Sequence, residues 1–156
     1  MARSVQVMSW AGLSPREILE RSTVLAVVGC STNDWKDAHD VPRRLQQRGF
    51  RIVPVHLTAR EILGEQAYPR LADVPGPIDS VVVFRPSGEA DDVAAQAIEA
   101  GAKAVWLQLG LVSVDARARC QAAETGYVED TCAKVVAARH DIRQPAAAGR
   151  YGRDTG

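Results

Sequence analysis

Four short segments of the chain are almost continuously apolar and rich in valine. They are VLAVVG at 24–29, RIVPVH at 51–56, DSVVVF at 79–84 and AVWLQL at 104–109. Strands of a parallel sheet show this pattern because helices cover both faces of the sheet. The pattern therefore predicts four parallel strands, and a fifth, shorter strand is predicted at 127–129.

The segment after the first strand has helical spacing and a typical helix end. Val41 and Leu45 share one face, and Gly49 follows as a helix stop. Pro42 is compatible with this helix if the helix begins near Asp37, because the ring then lies in or just after the first turn. The segment therefore predicts a helix that links the first two strands.

Four more helices are predicted from their ends. Ser14, Pro15 and Glu17 have the spacing of a capping box with proline at the first helical position, which predicts a short leading helix. A helix is expected to begin at a capping Ser87 and to end at Gly101. Two others are predicted at 114–126 and at about 132–140.

This alternation of strands and helices predicts an α/β fold. We expect a doubly wound, mainly parallel sheet of five or six strands with helices on both faces. Ligands of such sheets bind beyond the carboxyl ends of the strands, where the winding reverses. The loops to inspect for a site therefore follow Val28, Val55, Phe84 and Leu107.

Composition and charge narrow the classes of protein that fit this pattern. The 156 residues, 46% of them hydrophobic, suffice for one buried core and are too few for two ordinary domains. Lysine plus arginine equal aspartate plus glutamate at 19 each, which argues against non-specific binding of nucleic acid or an anionic membrane. Three cysteines without short paired spacing argue against disulfides or a zinc site. We expect a cytoplasmic protein without a signal peptide or membrane span.

The first strand runs into a loop of small residues that suits an anion. Gly29, Cys30, Ser31 and Thr32 can present backbone N–H groups and two hydroxyls, and the next helix adds the positive end of its dipole. A pyrophosphate fits these groups. The alternative interpretation is that Gly29 only permits a tight turn, as it does in many α/β folds without a ligand.

The loop carries one glycine where dinucleotide and P-loop sites need more. The segment lacks G-x-G-x-x-G, and the second strand ends near His56 without the carboxylate that binds the ribose of NAD. Arg60 would suit a phosphorylated ribose. The pattern G-x-x-x-x-G-K-[ST] is absent as well, which argues against P-loop phosphoryl transfer. These patterns favour a phosphate-bearing ligand that is held without being transformed.

Several blocks together resemble the stand-alone CoA-binding proteins, whose domain is similar to the CoA-binding part of the succinyl-CoA synthetase alpha subunit. The blocks are VLAVVGCS, HDVPRRLQQRGFRIVPV, ILGEQAYPRLADVP, IDSVVVFRP, GAKAVWLQLG and GYVEDTCAKVVAARH. The resemblance covers about 24–140. It implies a Rossmann-like CoA-binding domain at 23–142. The capping pattern predicts a helical extension at 1–22, and the small, polar residues at the end predict a flexible tail at 143–156.

The resemblance also implies which loops hold CoA. The first glycine loop would hold the diphosphate, the end of the second strand and the FRP segment would flank the adenosine, and the W-x-Q segment would close the site. The cofactor-binding residues expected on this basis, with Lys36 added from its position, are Gly29, Cys30, Ser31, Thr32, Lys36, Pro54, Val55, His56, Phe84, Arg85, Pro86, Gln108 and Leu109.

The chain departs from the family pattern at two positions. His56 and Leu57 stand where the family commonly has asparagine and proline, which affects the expected adenosine contacts. Cys30 stands where alanine is common after the glycine. Neither change removes an anion cradle, because the backbone provides most of its donors.

Cations near the loop are candidates for phosphate contacts. Lys36 is the favoured one, with His39 beside it, whereas Arg43 and Arg44 are more typical of a charged helix face. Arg85 follows a strand at its carboxyl end, where a guanidinium can make a forked contact with phosphate or stack on adenine.

Other reactive or charged residues suit structural roles better. Cys132, at a predicted helix start, has no His and acid in a catalytic order, and His140 follows the last helical turn. Trp106 is predicted to lie in the core. Asp79 and Asp130 flank strands and are typical of turns.

These observations favour a non-catalytic protein that binds CoA or an acyl-CoA, with the possibility of a homo-oligomer or a protein partner. Two alternatives stay open. One is a subunit of an acyl-CoA ligase that needs a partner chain. The other is an NAD(H)-binding or nucleotide-binding redox sensor, or a thiol sensor in which Cys30 forms a mixed disulfide with CoA.

Overall fold

A five-stranded parallel sheet organises the protein. The computed structural model describes residues 9–145 of the chain. The sheet consists of β1 (Val24–Val28), β2 (Arg51–Val55), β5 (Ser80–Val83), β6 (Ala104–Leu107) and β7 (Gly126–Val128). The strands lie in the order β2-β1-β5-β6-β7 and every neighbouring pair is parallel. The chain therefore winds from β1 toward β2 and then crosses back past β1 to β5.

Five helices cover the two faces of this sheet. They are α1 (Pro15–Arg21), α2 (Asp37–Gln47), α3 (Ala90–Glu99), α4 (Val114–Ala122) and α5 (Ala133–Arg139). Buried residues of α1, α2 and α5 belong to one apolar cluster, and those of α3 and α4 belong to the other. The two layers bury the strands on both sides, as their valine-rich sequences require. The predicted doubly wound α/β fold is confirmed.

The first helix is part of the core. Ser14 and Glu17 form the predicted capping box, in which each side chain accepts a backbone N–H from the other residue. Ile18 and Leu19 are fully buried in the same cluster as Leu25 of β1. The segment predicted as an extension at 1–22 therefore supplies core residues, and its first eight residues lie outside the described part of the chain.

Several local predictions need correction. Ser87 does not cap α3, because a 3₁₀ turn (Ser87–Glu89) precedes that helix and the Ser87 Oγ instead accepts the Val112 N–H at 3.1 Å. The last strand begins at Gly126, one residue before the predicted position, and the helix predicted at 114–126 ends at Ala122. An antiparallel hairpin of β3 (Glu61–Ile62) and β4 (Glu65–Gln66) was not predicted, since two-residue strands carry almost no hydrophobic period.

The described end of the chain returns to the body of the domain. The backbone N–H of Gln144 donates to the Arg48 carbonyl at 2.8 Å. Gly49 lies directly beneath this contact, where a Cβ atom would lie 1.8 Å from the Gln144 carbonyl oxygen. A glycine at this position therefore permits the close approach. The rest of the predicted tail, 146–156, lies outside the described residues. Across 9–145, no helix is long and apolar enough to cross a membrane.

Candidate functional site

A cavity of about 720 Å³ opens at the carboxyl ends of β1, β2 and β5. The winding of the sheet reverses between β1 and β5, so this is the position at which open α/β sheets bind ligands. A groove of about 750 Å³ also lies between α3 and α4, but it is far more open and no strand end contributes to it. The cavity at the strand ends is therefore the candidate functional site.

Gly29 joins β1 to the cavity in a conformation that other residues rarely adopt. Its φ is +86°, and a Cβ atom there would lie 3.2 Å from the Arg85 Cδ and 3.3 Å from the Phe84 backbone. The glycine loop therefore passes directly against the end of β5. Both the left-handed backbone and the close approach favour glycine.

Part of the glycine loop is committed to internal hydrogen bonds. The Gly29 N–H donates to the Val55 carbonyl at 3.2 Å, and the Ser31 N–H donates to the Ala38 carbonyl at 3.1 Å. The N–H groups of Cys30 and Thr32 make no hydrogen bond within the described part of the chain. Of the four backbone N–H groups of the loop, at most two are therefore free to face an anion, as the sequence predicts for this loop.

Pro42 explains why the Ala38 carbonyl is available to the loop. It is the sixth residue of α2, inside the helix, and it has no N–H with which to bond the carbonyl four residues earlier. That carbonyl belongs to Ala38, and Ser31 supplies the missing donor. The proline thus anchors the glycine loop to the first turns of α2.

Three cationic side chains line the cavity and differ in their ionic partners. Arg85 donates twice to the Glu89 Oε1, at 2.9 and 2.6 Å, and Arg70 pairs with Asp73. Lys36, which precedes α2, is exposed and forms no ion pair with any residue of 9–145. Lys36 is therefore the cation that can meet an anionic ligand without breaking an existing ion pair.

His56, which stands where the resemblance predicts asparagine, has a turn-forming role. Its Nδ1 accepts the N–H groups of Thr58 and Ala59, at 3.1 and 2.9 Å. An asparagine Oδ1 can accept backbone N–H groups in the same way. The departure at this position preserves the turn at the end of β2, and the proton of the neutral ring lies on Nε2.

The family of the chain follows from comparison with known proteins. A family model described as "CoA binding domain" matches residues 23–138. The protein belongs to the CoA-binding domain family. The match covers all five strands of the sheet and the loops that line the cavity. The resemblance seen in the sequence is confirmed.

Two known proteins resemble the chain over most of its length, and a third resembles about half of it. The uncharacterized protein YneT of Bacillus subtilis is 38% identical over 120 residues, which span 77% of this chain and 89% of that protein. A hypothetical protein of Pyrococcus horikoshii has the same fold, with a TM-score of 0.78 and 30% identity over 89% of this chain and 98% of that one. An ADP-forming acetate–CoA ligase of Archaeoglobus fulgidus is 31% identical over 81 residues, which are 51% of this chain and only 12% of the ligase.

The structure of this CoA-binding domain brings eight of the thirteen expected site residues together. The cavity lining includes Gly29, Cys30, Ser31, Lys36, Val55, His56, Phe84 and Arg85. Thr32 and Pro86 are exposed beside the lining, and Pro54 is buried within β2. For these three residues the expected contact with a cofactor stays a prediction.

Gln108 and Leu109 lie apart from the cavity lining. Gln108 is buried, and its Oε1 accepts the N–H of Ala133 at the first turn of α5 at 3.1 Å. Trp106, fully buried as predicted, donates its Nε1–H to the Thr131 carbonyl at 2.8 Å. The W-x-Q segment thus fixes the connection between β7 and α5, and its expected role in closing the site stays a prediction.

The cysteine nearest the glycine loop is poorly suited to thiol chemistry. Cys30 is only 1% exposed, and burial raises the pKa of its thiol to about 12. A thiol with this pKa is almost entirely protonated near neutral pH, whereas thiol–disulfide exchange requires the thiolate. The geometry therefore disfavours a mixed disulfide between Cys30 and CoA. Cys132 is half-buried just before the short α5.

Most of the other charged candidates have structural partners. Asp79 accepts the N–H groups of Thr23 and Val24, and Asp130 accepts the Gly110 N–H at 2.7 Å. Arg43 and Arg44 both donate to Asp40 on the same helix. The remaining three lie outside the lining, His39 half-buried in α2 and Arg60 and His140 exposed.

Sequence reasoning missed the opposite wall of the cavity. Pro69, Arg70 and Leu71 line it from the segment after the β3–β4 hairpin, and Glu89, Asp92, Val93 and Gln96 line it from the start of α3. The block ILGEQAYPRLADVP was recognised as part of the resemblance, but no local pattern shows where it folds. The sequence does give a weak indication that the start of α3 lies at the site, because this segment follows the FRP segment at the switch point.

Proposed function

We propose that the protein binds CoA or an acyl-CoA without transforming it, with the diphosphate between the glycine loop and Lys36. The observation that carries this proposal is an unpaired lysine beside a glycine loop, in a cavity at the switch point of a CoA-binding domain. A charge-assisted hydrogen bond from such a lysine is among the strong polar contacts available to a phosphate.

The adenosine is proposed to lie between the ends of β2 and β5. Val55, His56 and Phe84 supply apolar and aromatic surface there, and Arg85 is held nearby by Glu89. A purine can stack on such planar groups. The cavity volume of about 720 Å³ lies within the range typical of cofactor sites.

Isothermal titration with three ligands tests this function. CoA and dephospho-CoA both carry the diphosphate, whereas pantetheine lacks it. We expect heat with the first two ligands and none with pantetheine. The absence of heat with millimolar CoA would refute the proposal.

Lys36→Ala tests the assigned cation. We expect CoA affinity to fall by roughly 10- to 150-fold, which corresponds to the loss of a charged hydrogen bond of about 1.5–3 kcal/mol. Lys103→Ala is the matched control, because Lys103 precedes β6 at the opposite edge of the sheet. An effect of Lys36→Ala on CoA but not on dephospho-CoA would assign Lys36 to the 3′-phosphate and contradict its place at the diphosphate.

A second candidate function is the CoA-binding subunit of an acyl-CoA ligase. Its support is the similarity to part of the ADP-forming acetate–CoA ligase of Archaeoglobus fulgidus. This role requires a partner chain that supplies the rest of the enzyme. Co-purification of a larger chain, with ATP-dependent formation of a CoA thioester by the complex and not by the isolated protein, would establish it.

A further inference from the structure

Exposed large hydrophobic side chains concentrate at the edge of the sheet that carries the cavity. Six such residues are exposed in the described part of the chain, and five of them lie in the segments that follow β1, β2 and β6. Trp35 and Leu57 follow β1 and β2, and Leu109, Val112 and Val114 follow β6. The sixth, Val135, lies on α5. Single exposed hydrophobic residues are ordinary, but three within six residues after β6 require an explanation.

The three residues after β6 form what we name the apolar shelf: Leu109, Val112 and Val114. They are 70%, 51% and 80% exposed. The structure buries none of the three side chains and holds their backbone firmly. Leu111, between them in the same loop, is half-buried and packs against the core, so the loop is anchored there while these three side chains face outward.

Hydrogen bonds from both sides hold the apolar shelf in place. The Gly110 N–H donates to the Asp130 Oδ1 at 2.7 Å, and the Asp130 N–H donates to the Leu111 carbonyl at 3.0 Å. The Ser113 Oγ accepts the Ala116 N–H at 3.0 Å and so caps α4 directly after the loop. An ordered apolar surface loses little conformational entropy when a ligand covers it.

The apolar shelf adjoins the candidate cavity through one hydrogen bond. The Val112 N–H donates to the Ser87 Oγ at 3.1 Å, and Ser87 lies two residues beyond Arg85, which lines the cavity. β6 is the neighbour of β5, and adjacent strands lie about 4.8 Å apart. A flexible ligand arm that leaves the cavity over β5 therefore passes toward the loop after β6, which carries the shelf.

We propose that the apolar shelf receives the acyl group of a medium-chain or long-chain thioester whose CoA portion occupies the cavity. This inference rests on the proposed function and deepens it, because it distinguishes acyl-CoA from free CoA as the preferred ligand. An apolar chain is the part of such a ligand that gains from covering Leu109, Val112 and Val114. We expect the affinity for an acyl-CoA to depend on the length of its acyl chain and not on a particular chemical group within it.

The test compares CoA, acetyl-CoA and octanoyl-CoA by isothermal titration. Each fully buried methylene strengthens binding by about fourfold, so partial cover of an eight-carbon chain gives octanoyl-CoA an advantage of about tenfold or more over CoA. Acetyl-CoA is expected to bind like CoA. Equal affinity of octanoyl-CoA and CoA would overturn the inference and leave CoA binding intact. The absence of binding by all three would instead refute the proposed function.

Val114→Asp and Val135→Asp form a matched pair for this test. Each places an acid on an exposed valine in the first turn of a helix, α4 or α5, where a negative charge is compatible with the helix dipole. We expect Val114→Asp to abolish the advantage of octanoyl-CoA while it leaves CoA affinity unchanged, and Val135→Asp to change neither. The inference would be overturned if Val114→Asp kept its preference for octanoyl-CoA over CoA, or if both variants lost that preference equally.

Sedimentation of the same variants tests whether a second copy of the chain, and not an acyl group, covers the shelf. We expect Val114→Asp to sediment as the unsubstituted protein does. A self-association that Val114→Asp alone abolishes would assign the shelf to contact between two copies of the chain and overturn the acyl proposal.

Discussion

At the scale of single residues, Ser31 allows charge at the glycine loop to be changed without a change of loop geometry. Its Oγ accepts the Asn33 N–H at 2.9 Å, a turn that aspartate and asparagine side chains also form. Ser31→Asp therefore keeps the turn and adds a negative charge beside the proposed diphosphate. Ser31→Asn keeps the turn without the charge.

We expect Ser31→Asp to weaken CoA binding by roughly 10- to 150-fold, the equivalent of about 1.5–3 kcal/mol, because it opposes the phosphate charge. Ser31→Asn is expected to bind within a few-fold of the unsubstituted protein. Isothermal titration in low salt measures both. Equal affinities of the two variants would contradict the placement of the diphosphate at this loop.

Gly29 and Gly101 provide a second comparison at the residue scale. Both have a left-handed backbone, with φ of +86° and +85°, but only Gly29 has neighbours within 4 Å of an added Cβ atom. Alanine costs about 1–2 kcal/mol in this backbone region at either position. We expect Gly29→Ala to lower the free energy of unfolding more than Gly101→Ala, as measured by urea denaturation. Equal losses would show that the approach to β5 is not tight.

At the scale of secondary-structure elements, Gln108 connects the end of β6 to the beginning of α5. Its buried Oε1 accepts the Ala133 N–H, a helix-end donor that has no partner within the helix. We expect Gln108→Met to lower the free energy of unfolding by about 1–3 kcal/mol, since it leaves a buried donor without a partner. Gln121→Met, on the exposed surface of α4, is the control.

The same variant distinguishes this structural role from the cofactor contact that the family resemblance implies. A structural role predicts a lower melting temperature with CoA affinity little changed at a temperature where the variant is folded. Unchanged stability together with lost CoA binding would assign Gln108 to the ligand. Thermal denaturation and titration of one preparation therefore decide between the two roles.

At the scale of the whole molecule, Asp40 links two helices that are distant in sequence. Its carboxylate accepts hydrogen bonds from Arg43 and Arg44 of α2, and from Lys134 of α5 at 2.8 Å. The contact with Lys134, followed by those with the arginines, holds the pKa of this carboxyl well below its ordinary value. α2 and α5 therefore share a charged contact beside the cluster that also buries α1.

A lowered pKa in the folded state makes stability depend on pH in one direction. The contribution of Asp40 is fully present above the pKa of the unfolded chain, about 4, and is lost as pH falls below that value. We expect Asp40→Asn to lower stability at pH 7 and to reduce the slope of stability between about pH 4 and pH 2. Urea denaturation across this range measures the slope.

Asp141→Asn is the control for Asp40→Asn. Asp141 also pairs with arginines, Arg48 and Arg143, and the pKa of its carboxyl is lowered. Its side chain is largely exposed, and exposed ion pairs contribute little to stability. We expect Asp141→Asn to change the slope of stability between about pH 4 and pH 2 less than Asp40→Asn does. An equal effect of the two substitutions would contradict the assignment of the slope to the contact between α2 and α5.

The sequence by itself determined the five strands of the parallel sheet, the fold class and three of the loops at the cavity, whereas the fourth loop expected there, after Leu107, does not line it. Valine-rich runs identify strands because burial on both faces leaves almost no polar position in them. Parallel strands then bring the segments after Val28, Val55 and Phe84 to one edge. Each of these conclusions depends on residues that are close together in the chain, and the order of the family blocks supplied the rest.

Tertiary structure alone decided which polar groups are committed and which are available to a ligand. The Ser31 N–H is occupied because Pro42 frees the Ala38 carbonyl, and Gln108 turns to α5 because the Ala133 N–H lies beside it. Pro42 marks the Ala38 carbonyl as lacking its helical donor, but no local pattern shows that Ser31 supplies one or that Gln108 meets Ala133. The physical reason is that hydrogen-bond partners are chosen by proximity in space, whereas periodicity and helix-end signals report burial and chain direction.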